Sequence, residues 1–515
     1  MEKTIIHESL RKILGREKYI FLALLLFNAL LLFFCSKLSP LYDSNYWSDV
    51  NIYFTLGKGI MHGLVPYRDL FDHKGPLIFF IYGLGYLISN ESFLGVYAIE
   101  SLFYFLGASA IYLLARHYLN RIYSFVASVC FSLVAIFYSG VGGAAEDFIL
   151  MLQAVGLLYF IRYFAIYKPL DNNPIYMFIQ GMLVGIVFFI KLNLVAFWFF
   201  LLLAVFVNLI YEKRYANLLR NSLAFVLGVL TVIAPLFLYY IANSAFDDLW
   251  KGYIEFNSLY SGLQLQVDLV LIKKIIIRFA KLNLYSPFFF GCSSIGLLIF
   301  VALPHFLKNI FAKAGLLLTF FSLAVIIFMS PVIMEYYYIS FSVFIIFPLI
   351  VLLYFVSRYV NPARKGYVFV IVAVIGLIAG CWNKQFFQES KRMLIDREQP
   401  ETLENVFGNI IKREKNPTLL TLGIDASQTI FTKTGIVPNV KYFFSPNIYF
   451  EVYPDVRNSQ TRYIEDQTVQ FIVLRSSALY YDYFRGMKAL SDNYMIVAQF
   501  VDDENSTYFL YKRRD

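Results

Sequence analysis

The chain has 515 residues, 59% hydrophobic and 15% charged, a balance that excludes an ordinary soluble fold and fits a multi-span membrane protein. The formal charge of +9 does not mark a nucleic-acid binder: Lys and Arg collect in short segments between apolar runs, the pattern that sets orientation in membranes. The cysteines Cys35, Cys130, Cys292 and Cys381 sit in or beside apolar runs, without metal-knuckle or disulfide-framework spacing, and read as small apolar fillers.

Residues 1–18 carry Lys3, Arg11, Lys12, Arg16 and Lys18, which predicts a cytoplasmic N-terminus. The apolar run 19–34 has no small-residue cleavage site and reads as a retained first helix, about residues 19–37. Residues 77–88 form a run of only a dozen, short of the ~20 needed to span, and are expected to be re-entrant or interfacial. Further spans are then expected at about 93–115, 122–138, 148–166, 175–190, 194–210, 221–241, 285–303, 314–329, 337–356 and 366–381, making eleven. With that parity Lys213, Arg214, Arg220, Lys308, Lys313, Arg358, Arg364 and Lys365 all face the cytoplasm; counting 77–88 as a span would invert nearly all of them.

The external segment 269–283 breaks this charge rule. Lys274, Arg278 and Lys281 fall four and then three apart on one helical face, which predicts an interfacial amphipathic helix with its charges toward lipid phosphates, a helix that helps to bind an anionic lipid carrier, or a plain surface helix. From about residue 383 the composition becomes that of a soluble protein, dividing the chain into a membrane domain (1–382) and an external α/β domain (383–515). Strands are expected at 418–422, 470–474, 494–500 and 508–511, and helices at 401–412 and from about Ala426.

Titratable groups concentrate in the first external loop, residues 38–92. Its stretch PLYDSNYWSDVNIYFTLGKGIMHGLVPYRDLFDHKGP carries Asp43, Asp49, Asp69, Asp72, His73, Lys58, Arg68 and Lys74. Asp49 follows the first span closely, where a lipid head group would present its phosphate, and a carboxylate there can take a proton from an attacking hydroxyl. Read alone, it is equally a solvated loop acid.

The order of short motifs resembles the GT-C class of membrane glycosyltransferases, near the polyprenyl-phosphate-sugar families that include protein O-mannosyltransferases and lipid A aminoarabinose transferases. An early Asp (Asp49 in SDVNIY) is followed by GLVPYRDL and KGPL; where that family has an acidic pair, this chain has Asp49-Val50. GGAAEDF is similar to the family's acidic second loop and offers Glu146 and Asp147. FFIKLN, with Lys191, resembles its lysine-bearing helix end, and EYYYISFSVFIIFP resembles its His-Tyr pattern, with Tyr336 in the histidine's place and Tyr337 beside it.

The resemblance implies an inverting transfer of a sugar from a polyprenyl-phosphate donor to an envelope glycan, lipid or protein on the outer face of the plasma (inner) membrane. Asp49 would be the general base. Lys74, Arg68, Lys191 and Tyr337 would bind the lipid phosphate, with a cation stabilising the leaving group. Glu146 and Asp147 would position the acceptor or, with Asp72 and His73, a divalent metal. The plainer readings are a snorkelling lysine at 191 and a helix cap at Glu146 and Asp147. A lipid-linked-oligosaccharide polymerase, a flippase or transporter, and a non-enzymatic scaffold are the rival classes. A transporter would place charges at mid-membrane and break its helices in pairs, whereas most apolar runs here are clean.

Overall fold

Hydrocarbon offers no hydrogen-bond partner to the backbone, so apolar runs of about 20 residues must fold as helices. The computed structural model describes residues 10–165, 171–260, 269–285, 290–330, 334–359, 375, 401–503 and 505–514. Among these, eight helices are long and apolar enough to cross a membrane: Glu17–Cys35, Leu94–Ala115, Arg121–Tyr138, Ala145–Phe164, Leu192–Tyr211, Tyr215–Ala242, Ile310–Met329 and Tyr336–Arg358. The protein is polytopic. Two further expected spans are shorter apolar helices, Pro174–Phe188 and Cys292–Ala302, and the eleventh, 366–381, lies outside the described residues apart from 375. Pro76–Ile88 has 13 residues, about 20 Å of helix, too short to span.

The helices to Ala242 are named α1 (Leu10–Cys35), α2 (Ser48–Met61), α3 (Pro76–Ile88), α4 (Leu94–Ala115), α5 (Arg121–Tyr138), α6 (Ala145–Phe164), α7 (Pro174–Phe188), α8 (Ala196–Tyr211) and α9 (Tyr215–Ala242). The chain forms two compact units. The first comprises Met1–Ser36, Ala98–Pro235 and Leu265–Gln388, and the second Lys37–Tyr97, Leu236–Gln264 and Glu389–Asp515.

In the first unit α6 is buried on every side, as its all-round apolar sequence requires. α7 and α9 approach to backbone contact through small residues. A Cβ on Gly181 would stand 2.1 Å from the carbonyl oxygen of Phe225, and one on Gly228 2.0 Å from that of Phe178. The helix Leu269–Tyr285 forms as expected, but the structure corrects its charged face. Arg278 turns inward and donates to the carbonyls of Phe328 and Ser330, at 2.7 Å each, while Phe279 packs on Phe320, Phe321 and Phe328. The end of helix Ile310–Met329 leaves carbonyls without intrahelical partners, and a guanidinium satisfies them. Lys273, Lys274 and Lys281 remain exposed.

In the second unit α2 packs on α3 at a glycine contact, where a Cβ on Gly57 would lie 2.4 Å from the amide nitrogen of Gly83. The C-terminal residues build a four-stranded sheet from β1 (Leu419–Thr421), β2 (Phe471–Arg475), β3 (Tyr494–Val501) and β4 (Thr507–Arg513), in the order β1-β2-β4-β3. β1 runs parallel to β2, with Leu419 opposite Phe471, while β4 is antiparallel to both β2 and β3. All four strands lie within or over the runs expected to form them, the last three rich in β-branched and aromatic residues, and the helix Leu403–Ile411 falls within 401–412. Phe71, Phe256, Tyr442, Ile448 and Val456 form one apolar cluster, so the first loop shares its core with residues far along the chain.

Gly181→Ala places a methyl group against the Phe225 carbonyl, and overpacking of this kind costs about 1–3 kcal/mol. The variant is expected to unfold several degrees lower in detergent by scanning fluorimetry, whereas Gly63→Ala, where an added Cβ meets nothing within 4 Å, carries only backbone strain.

Candidate functional site

Asp49 stands in the first turn of α2, where the helix dipole favours a carboxylate. One turn on, Tyr53 donates its hydroxyl to Asp49 Oδ2 at 3.2 Å, and Lys74 Nζ lies 3.4 Å from the same oxygen. The Asp49 and Lys74 side chains are 14% and 10% exposed, so the pair is shielded but reachable.

Residues 62–75 fold back to bring Lys74 there. Tyr67 adopts φ +68°, a left-handed conformation that the surrounding contacts must hold in place. Its amide donates to the Leu70 carbonyl at 2.6 Å, and its buried hydroxyl donates to the Lys74 carbonyl at 2.5 Å. Burial pushes this phenol far above its ordinary range, so it stays a donor. Asp69 accepts from the Val65 amide at 2.7 Å. Arg68 closes a two-pronged pair on Asp69, at 2.9 and 2.8 Å, and donates to the Asn243 carbonyl at 2.7 Å.

His73 packs against Phe256 and Tyr260, with ring centroids 5.6 and 5.1 Å away, and its carbonyl accepts from Asn257 Nδ2 at 2.6 Å. Its Nδ1 lies 3.2 Å from Asp72 Oδ1 and its Nε2 3.4 Å from Lys74 Nζ. Burial, and then the Lys74 charge, hold the imidazole below its ordinary value. Burial alone would push Asp72 up, but the imidazole and Lys74 more than offset it and keep the carboxyl below its usual range.

A second polar group lies in the first unit. In the loop before α6, Gly140, Gly142 and Gly143 have φ of +66°, +85° and +81°, a run that only glycine adopts without strain. The turn delivers the Gly143 amide to Glu100 at 2.8 Å, and Ser36 donates to the same carboxylate at 2.8 Å. Asp147 caps α6, accepting from the Ala144 amide at 3.0 Å and Ser139 Oγ at 2.8 Å. Glu146, buried, pairs with Lys191, whose Nζ also lies 4.3 Å from the ring centroid of Tyr337. Lys191 has extended backbone at the break between α7 and the 3₁₀ turn Leu192–Val195.

The predicted residues thus gather in two groups: Asp49, Asp72, His73 and Lys74 in one, and Glu146, Lys191 and Tyr337 in the other. Asp147 serves its own helix, and Arg68 is taken up by Asp69 and the Asn243 carbonyl. Tyr53, Tyr67, Asn257 and Glu100 went unpredicted. Only Tyr53 had a local signal, its i+4 spacing from Asp49. Among the described residues no three His, Cys, Asp or Glu side chains converge as a metal-ligand set. Asp72 and His73 do meet, but the free imidazole nitrogen faces an ammonium, which disfavours a cation there.

The family model described as dolichyl-phosphate-mannose-protein mannosyltransferase matches residues 73–242, about a third of the chain. Among solved structures, ArnT from Cupriavidus metallidurans bound to undecaprenyl phosphate is 12% identical, with a TM-score of 0.58 over 96% of this chain and 98% of that one. The same enzyme in its apo state matches with a TM-score of 0.57 at 11% identity, over 97% of this chain and 98% of that one. The oligosaccharyltransferase AglB from Archaeoglobus fulgidus, in complex with an inhibitory peptide and a dolichol-phosphate, is 14% identical. Its TM-score is 0.51, over 96% of this chain and 74% of that one. No curated protein matches the sequence.

Because His73 is held below its ordinary pKa near 6.5, the unfolded chain takes up more protons as the pH falls through that value. Stability is therefore present above about pH 6.5 and lost below it, with Asp72 adding a second loss below about pH 4. His73→Gln should flatten the first part of that slope in unfolding measured from pH 7.5 to 5. Lys191→Met strands the buried Glu146 carboxylate and is expected to cost about 3–5 kcal/mol, while Lys191→Met with Glu146→Leu recovers most of the loss. A double-mutant cycle on thermal unfolding reads both.

Proposed function

We propose that this chain, which has the fold of the GT-C membrane glycosyltransferases, transfers a sugar from a polyprenyl-phosphate carrier to an envelope acceptor on the outer face of the inner membrane. The observation that carries the reading is the Asp49 group: a shielded carboxylate at a helix N-terminus, held by a phenol and an ammonium. The matching mannosyltransferase model and the carrier lipids bound in the ArnT and AglB structures support the donor class.

In this mechanism Asp49 accepts the proton of the acceptor hydroxyl, and the freed oxygen pair attacks the anomeric carbon from the face opposite the phosphate. The bond between that carbon and the phosphate oxygen breaks, the oxygen keeps the electron pair, and the anomeric configuration inverts. Tyr53 and Lys74 orient the carboxylate so that its other oxygen meets the hydroxyl. The charge growing on the phosphate is met by a cation, the role proposed for Lys74 beside Asp49. Arg68, already paired with Asp69, is the weaker phosphate ligand. In this reading, which rests on the distribution of Lys and Arg between apolar runs, the N-terminus is cytoplasmic and the sheet domain external.

Asp49→Asn keeps the shape and removes the base. In proteoliposomes it should lower transfer from a polyprenyl-phosphate sugar by about 10²–10⁴-fold while insertion is unchanged. Wild-type turnover in this variant would remove Asp49 from the reaction. Movement of an intact glycolipid with no new glycosidic bond would remove the enzyme reading altogether.

A further inference from the structure

α2 is a helix with two jobs. At about 100° per residue, Ser48, Asn51, Thr55 and Lys58 fall within roughly 80° of arc, and Asp49 and Tyr53 lie on the other side, roughly 160° away. The first of these faces is stitched to the C-terminal part of the same unit. Ser48 Oγ donates to the Asp425 carbonyl at 2.9 Å, and Thr432 Oγ1 donates to Asn51 Oδ1 at 2.7 Å. Lys58, fully buried, donates Nζ to the Phe431 carbonyl at 2.8 Å and approaches that of Ile436 at 3.5 Å. Phe431 belongs to the short helix Thr429–Thr434, which ends at Gly435 with φ +72° and leaves carbonyls unpaired at its end. A lysine without a carboxylate partner is costly to bury, and these carbonyls are what it satisfies. Burial lowers its amine to about 7.

The other half of the argument is the weakness of the helix start. α2 has 14 residues, and its N-cap Trp47 offers no side-chain bond to the first-turn amides. An isolated helix of that length is marginal and frays first at an uncapped end. That end carries Asp49. Asn51 Nδ2 donates to the Asn45 and Trp47 carbonyls at 2.6 and 2.9 Å, so the residue gripped by Thr432 also ties down the chain entering the helix.

We propose that the C-terminal domain positions the reacting carboxylate, holding the first turn of α2 through Ser48, Asn51 and Lys58, with Thr432 as the positioning residue on the domain side. The proposal rests on the reading of Asp49 as base. A shift of about 1 Å at a catalytic group costs on the order of 10² in rate, so a grip on the far face of the helix is enough to govern turnover. The domain is then part of the machinery without touching the reacting atoms.

The test uses the full chain in proteoliposomes with a polyprenyl-phosphate sugar donor. Thr432→Val removes the hydroxyl at nearly constant volume. It should lower kcat at least tenfold with donor KM within about twofold, and speed hydrogen exchange of the amides at 48–53. Introduced into Asp49→Asn, it should produce no further loss, because a positioning residue has nothing left to position. Wild-type kcat in Thr432→Val, or the same fold-loss in the Asp49→Asn background, overturns the proposal and leaves the stitch purely structural. Lys58→Met carries the same pair of measurements if Thr432→Val does not insert. Failure of the base assignment is read separately, from Asp49→Asn alone.

Discussion

A polar group taken out of water is costly unless it finds a partner within the protein, and that cost shapes both units. In the helical unit it accounts for the paired Lys191 and Glu146, for Glu100 held by Ser36 and the Gly143 amide, and for Asp147 turned back to cap its own helix. It also accounts for Arg278, drawn to the carbonyls at the end of helix Ile310–Met329 while the neighbouring lysines stay exposed. In the other unit it accounts for Lys58 at the end of a short helix.

The first loop gains its geometry from the same rule. The left-handed backbone at Tyr67 costs of order 1 kcal/mol or more and persists because the turn is overdetermined. The Leu70 carbonyl, the Lys74 carbonyl, and the flanking rings of Phe79 and Tyr240 all fix that residue. Its product is a lysine main chain held in one place, with the ammonium beside Asp49 and the neighbouring imidazole held below its ordinary pKa by burial. Both donors, the Tyr53 phenol and the Lys74 ammonium, lie on the same Asp49 oxygen.

Much of the scaffold was legible in the residues. Eight of the expected spans are long apolar helices, residues 77–88 are too short to cross, and all four strands fall on the runs that predicted them. The expected span at 175–190 is the 15-residue helix Pro174–Phe188, and the described part of 285–303 includes the helix Cys292–Ala302. The face of Leu269–Tyr285 was misread at Arg278. Spacing places a side chain on an arc, but the partner that draws it inward belongs to another helix.

The sequence by itself determined that the chain is a polytopic membrane protein with a small sheet domain, and where its titratable residues concentrate. Those properties follow from composition and from periods of two and 3.6 residues, which are local. Tertiary structure alone decided that Lys74 meets Asp49, that Glu146 takes Lys191, and that Thr432 reaches Asn51 across 381 positions. Such pairings depend on which surfaces the folded chain brings within about 3 Å, and no period in the sequence encodes that.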